Sequence, residues 1–361
     1  MAPCSWAPVL AGLRRKARKF GSEKELPYAL RWVLNVVLCI LMTFSMVSYA
    51  FKLRNETRER FDLLYAHNQY VAMAGWLIGR VWHIPNVTRL YGTFLADLME
   101  KPAVWLRYPV AVAGFLVPHS LLICTNDGTR GDEVARRLRI DLSKFRFWQN
   151  GVDFPKHSPR ATREEFVDEY RGKGLRMESK WIISCSRLSY WKRIDRILHG
   201  FSFARKEGCD GQLLIAGDGP ERDALARIAS RLGIQDDVVW LGALAHHKIW
   251  DLMQVADMFI ITNDVTNRCN PLYEAICAGL PIVSVLDPST TDLLTHHVNA
   301  MVAPKNDANQ VGEYMYKICM NDELHKRLAE NQREQADKFW SWEERMAFEI
   351  VELEKLLNDD Q

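Results

Sequence analysis

Short β-branched apolar runs alternate along this chain with longer stretches in which apolar side chains recur at helical spacing. Runs at 62–67, 87–90, 121–125 and 145–149 predict strands, and the stretches 71–81, 103–118 and 131–138 between them predict helices. The alternation resumes with strands at 181–185, 212–216, 238–241, 258–262 and 282–286, separated by helices at 194–204, 221–232, 248–255 and from Asn270 onward. Strands that alternate with helices predict parallel, doubly wound sheets, hence an α/β chain. Residues 154–180 are charged, contain two prolines and separate the two regions, so they are expected to be a linker with a short helix inside. This divides the chain into a first domain at 59–153 and a second at 181–340. The stripe of Leu324, Leu328, Phe339, Trp340, Met346 and Ile350 predicts a C-terminal helical core element.

The amino-terminal pattern is different. Residues 1–27 are polar to basic, with Arg14, Arg15, Lys16, Arg18 and Lys19 close together, and lead into the apolar stretch Trp32 to Phe51 within 28–58. Two readings stand side by side. The stretch just reaches the roughly 20 residues of a spanning helix with positive flanks. Alternatively it is a long helix packed on the first domain, whose basic flanks meet anionic lipid at a membrane surface.

Composition narrows the function classes. A chain of 361 residues, 48% hydrophobic and 25% charged, suits two globular domains. A net charge of +2 gives no global basic field that would demand nucleic acid. The cysteines Cys4, Cys39, Cys124, Cys185, Cys209, Cys269, Cys277 and Cys319 are scattered without a CxxC pair, which suits a reducing, cytoplasmic compartment and no structural metal. The Asn-x-Thr sequons at Asn55 and Asn86 are then coincidental.

The richest stretch is NPLYEAICAGLPIV, from Asn270 to Val283. Pro271 near the first turn and Gly279-Leu280-Pro281 at the end predict a helix that opens with free N–H groups and stops sharply. It follows a strand, so the loop from Asn263 to Leu272 lies at a strand's carboxyl end, where ligands of such sheets bind. Glu274 either accepts hydrogen bonds from sugar hydroxyls while the N–H groups before it hold phosphate, or only complements the helix dipole. Arg187 and Lys192 bracket the loop after the strand at 181–185 and can converge on a diphosphate, or are two solvated charges. Gly217 and Gly219, in the turn before the helix at 221–232, allow a ligand to approach the backbone. His67 at a strand end is either a substrate contact or a satisfied structural histidine, and His83 is expected to be structural.

The order SRLSYWKRIDRIL, AGDGPERDAL, VVWLGAL, ADMFIITN and NPLYEAICAGLPIV resembles glycosyltransferase family 4, specifically over 181–350 and more loosely over 61–153 through DLLYAHN and NGVD. The resemblance implies the GT-B architecture of two Rossmann-like domains facing across a cleft, here with an incomplete first domain. It also implies that residues 341–361 form a helix crossing back to that domain. By it, Arg187 and Lys192 bind a donor diphosphate, Glu274 holds the donor ribose, and the backbone from Cys269 through Asn270 and Pro271 to Leu272 meets sugar and phosphate. Asn263 and Thr266 belong to the same donor loop, while His67, Tyr91 and Gly92 face the acceptor. The implied reaction is retaining transfer from a UDP- or GDP-sugar to a glycan, lipid-linked or small-molecule acceptor, as in polysaccharide biosynthesis, with no obligatory metal. The place of work would be the cytoplasm or the cytoplasmic face of a membrane. The family's first Glu falls on Thr266, with Asp264 its nearest replacement, and a family His falls near Tyr91. A non-catalytic nucleotide-sugar-binding or scaffold protein is therefore the alternative, and a sugar-nucleotide epimerase a third.

Overall fold

A computed structural model describes residues 28–100, 104–153 and 161–359, so the basic segment 1–27 lies outside the described residues. The chain forms two units: one holds the described residues up to Thr125 with 131–148 and the chain from Lys355, the other holds 126–130 and 149–354.

The first unit is built on a four-stranded sheet of β1 (Leu64–His67), β2 (Asn86–Leu90), β3 (Leu121–Thr125) and β4 (Phe145–Trp148). All neighbours are parallel and the order is β1-β2-β3-β4. Every residue of β2 and β3 is buried, as expected for a parallel sheet covered by helices. The helix Gln69–Trp82 ends where His83, with φ 56°, donates its N–H to Gly79 O, so His83 is structural as expected. The single helix expected at 103–118 is two, Val104–Arg107 and Pro109–Leu116. Pro109 has no N–H to give the preceding turn, and it drives Tyr108 to φ −133°. Asn86 is buried and its Nδ2 donates to Pro118 O at 3.0 Å, so that sequon presents no free amide.

The long helix Tyr28–Thr57 leans on helix Gln69–Trp82 through Phe51, edge-on to Trp82 at 5.6 Å. Its window Trp32–Thr57 has a mean hydropathy of 2.0 and is only 6% buried, with Phe44 72% exposed. By length and composition this helix is able to cross a membrane.

The second unit carries β5 (Lys180–Cys185), β6 (Gly211–Ala216), β7 (Val238–Gly242), β8 (Met258–Ile261), β9 (Ile282–Val285) and β10 (Ala300–Ala303). These form one parallel sheet in the order β10-β9-β8-β5-β6-β7. From β5 the chain winds outward through β6 and β7, then returns to place β8 on the other side of β5. The winding direction reverses between β5 and β8, which opens a crevice at their carboxyl ends. One sheet face packs Ile197, Phe201 and Leu213, the other Trp181, Phe259 and Ile276, all fully buried. Each such side chain contributes roughly 1.5–3 kcal/mol of burial.

The expected linker belongs largely to this unit. Its helix Arg163–Glu169 starts with a capping box between Thr162 and Glu165, and its Phe166 packs on Trp181 at 5.9 Å. Arg163 donates to Val255 O at 2.9 Å and pairs with Asp257, so residues 161–180 are tied to the sheet; 154–160 lie outside the described residues. The segment after β4 also moves to the second unit, because Val152 N–H donates to Trp340 O at 2.9 Å and Trp342 N–H to Asp153 Oδ1 at 2.8 Å. The C-terminal helix is Trp342–Asp359. It buries an ion pair between Arg345 and Glu349 at 2.9 Å.

Candidate functional site

The loops after β5 and β6 are zipped together by their backbones. Ser186 N–H donates to Ala216 O and Leu188 N–H to Asp218 O, both at 3.0 Å. Gly217, at φ 142°, is held so tightly that a Cβ would lie 1.8 Å from Ser186 O, and a Cβ on Gly219 would lie 2.3 Å from Leu188 O. Both glycines thereby permit this loop-to-loop contact, which a side chain at either position would block. The joined loops present Arg187 exposed and Lys192 half-buried at the carboxyl end of β5. Lys192 Nζ lies 4.1 Å from the centre of the Trp191 ring. Burial pulls its ammonium below its usual range, and the neighbouring Cys269 opposes that shift.

Across the crevice, the helix Asn270–Cys277 behaves as its sequence predicts. Gly279, with φ 70°, donates to Ile276 O and Leu280 N–H donates to Ala275 O, both at 3.0 Å, a Schellman stop. At its start Pro271 has no N–H and the amides of Leu272 and Tyr273 return to Cys269 O, so the Asn270 amide is the open donor of that turn among the described residues. Burial pushes the Cys269 thiol up, with the Lys192 charge pulling it down. At the end of β5, burial pushes the Cys185 thiol far up, reinforced by Glu274 and Cys269. Cys269 thus feels the charges of both Lys192, from the β5 loop, and Glu274, from its own helix.

Glu274 is buried, with a side chain 7% exposed, and its Oε1 lies 2.7 Å from His246 Nε2. Both residues line a cavity of about 260 Å³ with Trp250, Asn270 and Tyr273. Sequence reasoning missed His246; its position, opening the helix His246–Val255 after β7, was the available signal.

The rest of the donor loop is tied together by internal hydrogen bonds. Asn263 is buried and donates from Nδ2 to Thr266 O at 2.8 Å, while its own N–H donates to Asn267 Oδ1 at 2.8 Å. Thr266 Oγ1 lies 3.0 Å from Asp127 O and 2.9 Å from Ser289 Oγ, and it accepts from Arg268 N–H at 3.1 Å. Asp264, the nearest replacement for the missing carboxylate, is held by Arg193 at 3.1 Å and Arg196 at 3.0 Å. Neither residue offers a free carboxylate to a sugar. Among the described residues no group of His, Cys, Asp and Glu side chains is arranged to hold a metal ion.

In the first unit, the expected acceptor residues do meet. His67 Nδ1 lies 2.7 Å from Tyr91 Oη at the carboxyl ends of the paired strands β1 and β2, and the two rings stack at 6.1 Å. Gly92 follows with φ 90°.

Residues 167–335, which hold this crevice and all its named side chains but those of 126–130, match the family described as glycosyl transferases group 1. Over those residues the chain is similar to group 1 glycosyl transferases. The chain is 26% identical over 246 residues to the alpha-monoglucosyldiacylglycerol synthase of Streptococcus pneumoniae, covering 65% of this chain and 54% of that enzyme. It is 23% identical over 286 residues to the N-acetyl-alpha-D-glucosaminyl L-malate synthase of Bacillus anthracis, covering 77% of this chain and 70% of that one. Among solved structures, Anabaena HepE in complex with UDP superposes with a TM-score of 0.69 at 19% identity, covering 85% of this chain and 81% of HepE. At that identity the likeness speaks for the fold, which is GT-B. The chain thus spans only about half the length of the S. pneumoniae relative. Within the matched residues, the loops after β5 and β8 supply the cation and the helix start, and the helix after β7 supplies His246.

Proposed function

We propose that the chain is a retaining glycosyltransferase that moves a sugar from a UDP- or GDP-sugar to a glycan or lipid-linked acceptor. The observation that carries this reading is the buried carboxylate of Glu274 in the helix that Cys269 caps, with the half-buried Lys192 close enough for its charge to act on Cys269. Lys192 and, from the exposed side, Arg187 offset the charge that builds on the diphosphate as the sugar's C1–O bond breaks; stabilisation of that charge is the largest contribution the protein makes. The Asn270 amide donates to a phosphate oxygen, and Glu274 accepts from the ribose hydroxyls. The acceptor hydroxyl adds from the face the diphosphate leaves, and its proton passes to the departing phosphate oxygen. Kinship with an enzyme named for a glucosyldiacylglycerol supports a lipid acceptor. The test is calorimetric titration of the folded protein with UDP, GDP and ADP, followed by assignment of the product's anomeric configuration. Binding of none of the three removes the reading, and an inverted product removes retention.

A second reading, a nucleotide-sugar-binding protein without transfer, is favoured by Thr266 standing where the family has a glutamate and by the engagement of Asp264. Donor binding without turnover on a broad acceptor panel would establish it. We also propose that the chain works at the cytoplasmic face of a membrane through helix Tyr28–Thr57, whose apolar side chains are largely exposed and whose last turns carry Lys52 and Arg54. Flotation with anionic phospholipid vesicles tests this; protein left at the bottom of the gradient overturns it.

A further inference from the structure

Among the described residues, the side-chain partner of the Glu274 carboxylate is an imidazole. His246 Nε2 lies 2.7 Å from Oε1, and a carboxylate can only accept, so Nε2 carries the hydrogen. The imidazole itself is anchored: its ring lies 4.6 Å from that of Trp250, one turn further along the same helix. The carboxylate is 7% exposed and the imidazole 63%, so the donor stands at the mouth of the cavity and the acceptor within it.

We infer that His246 is a positioning residue for the nucleoside: by occupying Oε1 it turns the carboxylate so that the remaining lone pairs meet the two ribose hydroxyls of a nucleoside diphosphate. The inference rests on the reading of Glu274 as the ribose ligand given above. His246 touches no reacting atom. Its contribution to binding therefore passes through Glu274 and requires the ribose hydroxyls, while the diphosphate is held by Lys192 and the helix start regardless.

The experiment titrates the full chain with UDP or GDP, whichever the wild type binds, and with the corresponding 2′,3′-dideoxynucleoside diphosphate. His246→Ala is expected to weaken the ribonucleotide about tenfold, the scale of one hydrogen bond to a charged group, and to change the dideoxy compound by less than about twofold. His246→Gln, which keeps an N–H donor, restores most of the affinity, and in a Glu274→Ala background His246→Ala has no further effect. Equal weakening of both nucleotides, or no weakening of either, overturns the inference while leaving the nucleotide site intact. A wild type that binds neither UDP nor GDP overturns the reading of the site itself, and the inference with it.

Discussion

The guanidinium of Arg196, 2% exposed, lies 3.0 Å from the carboxylate of Asp264 and donates at 2.6 Å to Thr262 O. Burial tends to push the Asp264 carboxyl up, but the hydrogen bonds and charges of Arg196 and Arg193 outweigh it and hold the group below the usual carboxylate range. Asp264 thereby ties the β8 loop to the helix Ile194–Lys206 and is committed to structure.

Asp264→Ala should accordingly lower stability. It strips a buried guanidinium of its charge partner, a loss of roughly 2–3 kcal/mol after allowing for the partial exposure of the aspartate. Urea unfolding of the purified variant reads this directly; an unchanged midpoint would show that Arg196 is satisfied by Thr262 alone.

Gly217→Ala is expected to be among the most damaging single substitutions in the second unit. Both the φ of 142° and the 1.8 Å approach of a Cβ to Ser186 O oppose any side chain, and the contact is with backbone that cannot swing away. A loss of about 3 kcal/mol or more is expected, a scale reached by few point mutations. The melting temperature checks it, and a near-wild-type value would mean that the β5 loop relaxes.

Lys192 links donor affinity to pH. Its ammonium is held below the ordinary 10.5 in the free protein by burial, and a bound diphosphate favours the charged form. The complex therefore holds more protons than the free protein between the lowered and the restored value. Affinity is full below the lowered value and falls as pH rises through it toward 10.5. Lys192→Ala should weaken diphosphate binding by roughly 1.5–3 kcal/mol and flatten this dependence, with a smaller loss for Arg187→Ala because exposed charges are screened. Titrations of both variants across that range decide it; unchanged affinity in both would remove the phosphate assignment.

His119 sets an acid limit for the first unit. Burial depresses its imidazole from 6.5 to about 4, against the opposing hydrogen bonds to Gly114 and Phe115. The unfolded chain takes up this proton below 6.5 while the fold refuses it until about 4, so stability present above 6.5 is lost as pH falls through that interval. The loss is roughly 3 kcal/mol at 1.36 kcal/mol per unit. His119→Gln keeps a donor for Gly114 O and should remove this portion of the pH dependence, as measured by urea midpoints from neutral pH down to about 4.5. A slope identical to that of the wild type would assign the acid sensitivity elsewhere.

The sequence by itself determined what depends on near neighbours. The alternation of β-branched runs with helical periods located all strands from β1 to β9, and Pro271 and Gly279 marked the helix start and its Schellman stop, because propensity, period and capping act over a few residues. The tertiary structure decided everything that required distant segments to meet. Residues 161–180, charged enough to resemble a linker, are held by Phe166 on Trp181 and by Arg163 on Asp257. Gly217 serves Ser186, and Asp264 serves Arg196. The pairing of His246 with Glu274, 28 positions apart, appeared only once the helices after β7 and β8 were set side by side. The physical reason is the strand order: β8 returns to lie against β5 after β6 and β7 have been laid down on the other side, and no local pattern encodes which strand will be its neighbour.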